Sequence, residues 1–313
     1  MGNLKQEVFK ELLKNGYTKK GSNKVWNISQ RRFLYSTEDL AKGFLNLKKL
    51  ERYKTNVLGR EVELIEKNAS KFFSEVGNSR PINLIDLGCG DGSKAKLFIG
   101  NLRKDLTMRY CPVNVNEFLV NLATNNVKGA NFENVIDYKK HIADFSDVEK
   151  VSNLVRSPKF NRNVILVLGS ILASYEINDY LYKLSSGMRR GDYLVIGNSM
   201  RTEKRVSNMK AYRSKIFDRW FINLMREIGF KEDEVRYNAR FNSVRVEMFY
   251  EVLKNKTLSY KDKKVSFNKG DEITVAMLYK YYESELDKFC RMYFKKVDII
   301  KHLDGYALIV CQK

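Results

Sequence analysis

Three glycines within five residues constrain this chain more than anything else in it. The stretch Asn83-Leu-Ile-Asp-Leu-Gly-Cys-Gly-Asp-Gly-Ser-Lys-Ala95 runs from a short apolar segment through Gly88, Gly90 and Gly92 into a helical pattern. It predicts strand, tight turn, helix. Lacking Cβ atoms, the glycines let the backbone turn sharply and approach a ligand, and the following helix presents its first N–H groups at the same place. Asp86 ends the strand beside the turn and brings a carboxylate to that crevice. A glycine-rich loop alone is a weak signal, and an ordinary turn is its simplest alternative. D-x-G-x-G-x-G directly after a β-like run points instead to a nucleoside-cofactor site.

The segments that follow supply a sheet around this turn. Met108–Asn116, Asn163–Gly169 and Gly191–Gly197 read as strands, separated by helical patterns at Ser93–Leu102 and around Leu181, Leu184 and Met188. Such alternation predicts an α/β fold, a Rossmann-like, doubly wound, mostly parallel sheet. In sheets of this kind the residue ending the second strand reads ribose hydroxyls, here Asn114, an amide where a carboxylate is usual. Asp144 ends a third short strand ahead of Phe145, with a helix N-cap as its alternative role, and Gly169 opens the loop after the central strand. From Met200 the rhythm breaks into a basic helical stretch, an amphipathic helix at Phe221–Ile228 and strand-like segments at 243–250, 264–267 and 273–279. This predicts a smaller α+β accessory domain. The expected division is an N-terminal helical cap at 1–60, the Rossmann-like domain at 61–200, an insertion or substrate domain at 201–281, and a return to the sheet at 282–313 with an antiparallel edge.

Composition narrows the partners. The 57 Lys+Arg against 37 Asp+Glu give a formal charge of +20, which favours phosphates, RNA or an anionic surface, although the basic residues are spread along the chain. Cys89, Cys111, Cys290 and Cys311 show no C-x-x-C spacing and there are two histidines, so no metal site is expected. The first residues lack the apolar core of a signal peptide, and the longest apolar run, Val164–Ala173, is about half a membrane span. A soluble, cytoplasmic protein is the expectation, with no membrane partner.

Taken together, these motifs resemble class I S-adenosylmethionine (SAM) dependent methyltransferases, and nearly the whole chain is similar to the histidine-specific N-methyltransferases of ergothioneine synthesis. The loop Asp86-Leu-Gly-Cys-Gly-Asp-Gly-Ser-Lys94, the strand Tyr110-Cys-Pro-Val-Asn-Val115, Ala143-Asp-Phe145, Leu168-Gly-Ser170, Arg245-Val-Glu-Met248, and Gly270-Asp-Glu-Ile273 with Lys280-Tyr281 carry the likeness in order. The resemblance implies SAM as cofactor, held by Asp86, Gly88, Cys89, Gly90, Asp91, Lys94, Asn114, Asp144, Phe145 and Gly169. It implies Tyr53, Ser174, Tyr212, Ala276 and Leu278 for the substrate; methyl transfer from a sulfonium needs no side-chain nucleophile, a tyrosine or water relay could free an amine of its proton, and the catalytic residues stay open. The family pattern carries an asparagine, a glutamate and a serine at positions that here map to Ala173 or Ser174, Ala276 and Leu278. The expectation is therefore a SAM-dependent methyltransferase acting on a nitrogen of a small amino-acid-like or amine substrate other than free histidine. An RNA or protein methyltransferase and a non-catalytic SAM-binding interaction protein are the alternatives.

Overall fold

A computed structural model describes residues 4–49, 59–72, 80–202 and 209–313. The chain opens with α1 (Leu4–Asn15), a hairpin of β1 (Tyr17–Lys20) and β2 (Asn23–Asn27), and α2 (Glu38–Lys49). Then come α3 (Gly59–Phe72), β3 (Ile82–Leu87), α4 (Ser93–Gly100), β4 (Met108–Asn114), α5 (Glu117–Lys128), β5 (Val135–Tyr138), β6 (His141–Ile142), α6 (Val148–Val155), β7 (Arg162–Val167), α7 (Ile177–Ser186) and β8 (Tyr193–Ser199). A third run holds α8 (Lys215–Ile228), β9 (Val235–Asn242), β10 (Arg245–Val252), β11 (Lys256–Tyr260), β12 (Lys263–Phe267) and β13 (Glu272–Tyr279). The chain closes with α9 (Glu283–Tyr293), β14 (Lys296–His302) and β15 (Tyr306–Gln312).

These elements form two compact units, one of residues 48–202 with 281–313 and the other of 1–47 with 203–280. In the former, one sheet runs β14-β15-β8-β7-β3-β4-β5, with β6 also on β4. β3 pairs in parallel with β4 and β7, β7 in parallel with β8, and β15 lies antiparallel on β8, giving the antiparallel edge expected. Every residue of β3 is buried, as a central parallel strand covered on both faces requires. The buried polar pair Asn83 and Asn163, opposite each other in register, is joined across the strands, Asn83 Nδ2 donating to Asn163 Oδ1 at 2.9 Å, while Asn83 Oδ1 has no partner among the described residues. Strand order reverses at β3, since the chain continues to β4 on one side and later returns to β7 on the other. Ligands in such sheets bind outside the carboxyl ends of the strands at that reversal.

The other unit is built on a five-stranded sheet, β1-β2-β13-β10-β9, beside the separate β11-β12 hairpin. Its N-terminal hairpin joins by a parallel pairing of β2 with β13. The basic stretch expected to be helical from Met200 departs from that reading at its described end, where residues 209–213 are turn and the helix starts at Lys215.

Candidate active site

The glycine turn leaves β3 at its carboxyl end. Gly88, Gly90 and Gly92 all have positive φ, at 70°, 55° and 75°. A Cβ on Gly88 would lie 2.5 Å from Ile171 Cδ1, and one on Gly92 would lie 2.8 Å from the Ala123 backbone. Only glycine lets the turn lie this close to α5 and to the loop after β7. The turn's own amides are committed inward: Gly88 N and Cys89 N both donate to Val113 O, at 2.9 and 3.1 Å. The cysteine side chain packs with Val120 and Ala123. Asp91 is likewise engaged, accepting from Ser93 N at 3.1 Å and pairing with Lys48 Nζ at 2.6 Å.

Asp86 is 4 % exposed, and the Tyr110 hydroxyl donates to its Oδ2 at 2.9 Å. Burial pushes its carboxyl up to about 6, against the pull of Tyr110 and the Lys94 charge. Such a carboxylate is poorly compensated by its surroundings and is suited to a cationic ligand. Lys94, in the first turn of α4, pairs with Glu61, a buried carboxylate of α3. Glu61 Oε1 in turn accepts from Gly169 N and from the Tyr306 hydroxyl, each at 2.7 Å. Sequence reasoning misses Glu61 and Tyr110, because the first reads as an ordinary acidic residue in the opening turn of a helix and the second as a strand aromatic.

Asn114 ends β4, where it is buried, and its Oδ1 accepts from Asn116 N at 3.2 Å. Its carbonyl accepts from Ala143 N at 3.0 Å, which ties the Asp144 turn to the end of β4. Asp144 Oδ1 accepts from Ser146 N at 2.8 Å, and Asp147 takes the N-cap position of α6. Phe145 is buried, its carbonyl accepting from the Tyr180 hydroxyl, and its ring edge lies 3.7 Å from the Cβ position of Gly88. The structure thus brings Asp86, the glycine turn, Asn114, Asp144 and Gly169 to the carboxyl ends of neighbouring strands.

The residues expected for the substrate divide. Tyr53 lies outside the described residues. Ser174 ends a short turn, Leu172–Ser174, after β7. Tyr212, Ala276 and Leu278 belong to the other unit, where Tyr212 packs under Lys280 Nζ at 5.5 Å. In the β10–β13 ladder Met248 stands opposite Ala276 and Val246 opposite Leu278, while Arg245 is opposite Tyr279 and Glu247 opposite Met277. Since alternate residues face opposite sides, Arg245 and Tyr279 lie on the other face from Ala276 and Leu278. Arg245 is also held there by Glu247, Nε to Oε1 at 2.9 Å. Burial would raise the Glu247 carboxyl, but Arg245, Asn242 and Arg240 outweigh it and hold it below its ordinary range.

Residues 25–306 match the model of the family described as histidine-specific methyltransferase, SAM-dependent. The chain belongs to this family. It is a SAM-dependent methyltransferase with a Rossmann-like fold, and SAM is its cofactor. No curated protein matches the sequence. Among solved structures it is similar to an S-adenosylmethionine-dependent methyltransferase from Clostridium acetobutylicum, at 13 % identity and a TM-score of 0.46, over 87 % of this chain and 97 % of that one. It is also similar to magnesium protoporphyrin IX methyltransferase from Synechocystis with bound SAH, at 10 % identity and a TM-score of 0.48, over 90 % and 98 %.

The poorly compensated Asp86 carboxylate matches an ammonium group, and the positive-φ glycines leave the close approach that a nucleoside needs. Among the described residues no group of three or more His, Cys, Asp or Glu could hold a metal ion, and no helix is long and apolar enough to cross a membrane.

Proposed function

We propose that the enzyme methylates a nitrogen of a small amino-acid-like or amine substrate other than free histidine. The observation that carries this reading is the apolar face of β13. Ala276 and Leu278 share it with Met248 and Val246, whereas Arg245 and Tyr279 point to the opposite face, and the polar group that continues the face, Lys280, sits buried over the Tyr212 ring. A buried site built to hold an imidazole needs partners for its nitrogens, and each missing partner costs on the order of 1–3 kcal/mol. An apolar or aromatic group beside the reacting amine suits this face better. Residues 61–200 with 282–313 serve the cofactor in this reading, and 201–281 serves the substrate.

On the cofactor side, Asp86 would take the ammonium of the methionine end and Lys94 its carboxylate, Asn114 the ribose hydroxyls and Asp144 the adenine amine, with Gly88, Cys89, Gly90 and Asp91 shaping the turn and Phe145 and Gly169 the walls. SAM supplies a methyl group on a sulfonium, an electrophile that needs no activation by a side-chain nucleophile. The chain's part is alignment and exclusion of water around a nitrogen presented with its lone pair free. Tyr53, Ser174 and Tyr212 are the proposed substrate walls. The test is incubation of enzyme and SAM with histidine and with a panel of amino acids and amines, read by mass spectrometry. Methylation of a panel member with histidine left unmodified is expected; efficient trimethylation of histidine would sink this reading.

A further inference from the structure

The opposite end of the parallel sheet holds a second feature that the methyl-transfer reading does not use. A cavity of about 500 Å³ is lined by Arg80, Pro81, Pro158, Lys159, Asn161, Arg162, Arg189, Arg190 and Asp192. These residues precede or open β3, β7 and β8, so they sit at the amino ends of the strands whose carboxyl ends carry Asp86 and Gly169. A strand of six residues separates the two ends by roughly 20 Å.

Among the described residues, the cavity's charge is not balanced. Asp192 is the one acid lining it, and it is consumed: Arg156 pairs with it, and Asn163 N and Arg189 N donate to it at 2.8 Å each. Among the described residues, Arg80, Arg162 and Arg190 form no ion pair with a carboxylate. Elsewhere in the chain Arg109 and Arg245 each pair with a carboxylate, and Arg240 pairs with two. Cations brought together without counter-charge repel one another, and an anionic ligand relieves that repulsion. Two of the chain's three prolines, Pro81 and Pro158, form part of the wall, which limits how far the backbone beside the arginines can move. The volume falls within the range of about 300–1,000 Å³ of small-molecule pockets.

We propose that this cavity binds a small oligophosphate, a ligand with two or more linked phosphate groups such as pyrophosphate or a nucleoside diphosphate. Guanidinium groups bind phosphate oxygens through paired N–H donors, and several arginines converging on one cavity match several phosphate groups on one ligand. Convergence in a cavity, rather than a stripe along the surface, favours a compact ligand over a nucleic-acid strand. The inference stands independently of the substrate proposed above.

The experiment is calorimetric titration of the full chain with pyrophosphate and then with ADP, at low and at physiological salt. Saturable one-to-one binding that weakens with salt is expected. The double variant Arg162→Ala, Arg190→Ala should weaken it by about a hundredfold, tenfold for each guanidinium removed. The corresponding lysine pair should fall between, since it keeps charge and loses the paired donors. Unliganded thermal unfolding of each variant serves as the fold control. Absence of pyrophosphate binding at low salt overturns the proposal, as does binding that the folded alanine pair leaves intact. A short single-stranded RNA that binds more tightly than pyrophosphate also overturns it, and would make this face a nucleic-acid surface.

Discussion

Replacing Asp86 by Asn should make the unliganded protein more stable at neutral pH while weakening its hold on SAM. The carboxyl is raised from 3.8 to about 6, chiefly by burial. Every tenfold rise in proton affinity corresponds to about 1.4 kcal/mol, so ionising this group in the folded state costs about 3 kcal/mol. Because the folded-state value lies above the unfolded one, the folded protein holds the proton more tightly between the two. Stability linked to Asp86 is therefore fully present below pH 3.8 and lost as pH rises towards 6. Asparagine keeps an oxygen to accept from Tyr110 and never ionises. At pH values above 6 the variant should gain up to about 3 kcal/mol, several degrees of Tm at about 2–4 °C per kcal/mol. At pH 5 about half of that gain should remain. Loss of the charge-assisted hydrogen bond to an ammonium should weaken SAM by tenfold or more. Thermal unfolding across pH, with and without SAM, measures both effects. A variant less stable than the wild type at neutral pH, or a gain that does not shrink towards pH 5, would show that the buried charge is not what costs stability.

Other substitutions probe the same region. Glu61→Ala leaves the Tyr306 hydroxyl, Gly169 N and Lys94 without their shared acceptor and should destabilise the fold by about 3–5 kcal/mol in chemical denaturation, with Glu61→Gln milder. Gly92→Ala places a Cβ 2.8 Å from the Ala123 backbone and should lower Tm by several degrees, because backbone cannot swing aside as a side chain would. Gly90→Val puts a branched side chain at φ 55° in the turn, and calorimetry should show SAM binding lost while circular dichroism shows the fold kept. In the other unit, Arg245→Ala should cost about 1–3 kcal/mol of stability in chemical denaturation, since it removes a partner of the buried Glu247.

How much of this is legible in the sequence depends on the range of each interaction. The strand, turn and helix at 82–100 follow from neighbouring residues, as do the buried β7 and β8 and the strand end at Asn114, because apolar runs and glycines act locally. β1 leaves no such signal: all four of its residues are exposed, and its place in the sheet comes through β2, which pairs with β13 nearly 250 residues away. β9 escapes for a related reason, since its alternation of buried and exposed residues is interrupted and rich in basic side chains. Glu61 is the clearest loss at the site. It sits among other glutamates in an amphipathic helix, and only the fold shows that Lys94, Gly169 and Tyr306 surround it. Side-chain direction on β13 lies beyond the sequence for a different reason. A one-residue irregularity falls where Met248 opposes Ala276 but Phe249 opposes Thr274, so Val275 is the extra residue. Alternation counted from the start of the strand at Glu272 would therefore misassign every face beyond the bulge, because one inserted residue reverses the pattern. By residue type alone Arg245 and Tyr279 could replace the missing polar partners, but the pairing register turns them to the far face. It is that register, more than the identities of Ala276 and Leu278, that argues against histidine.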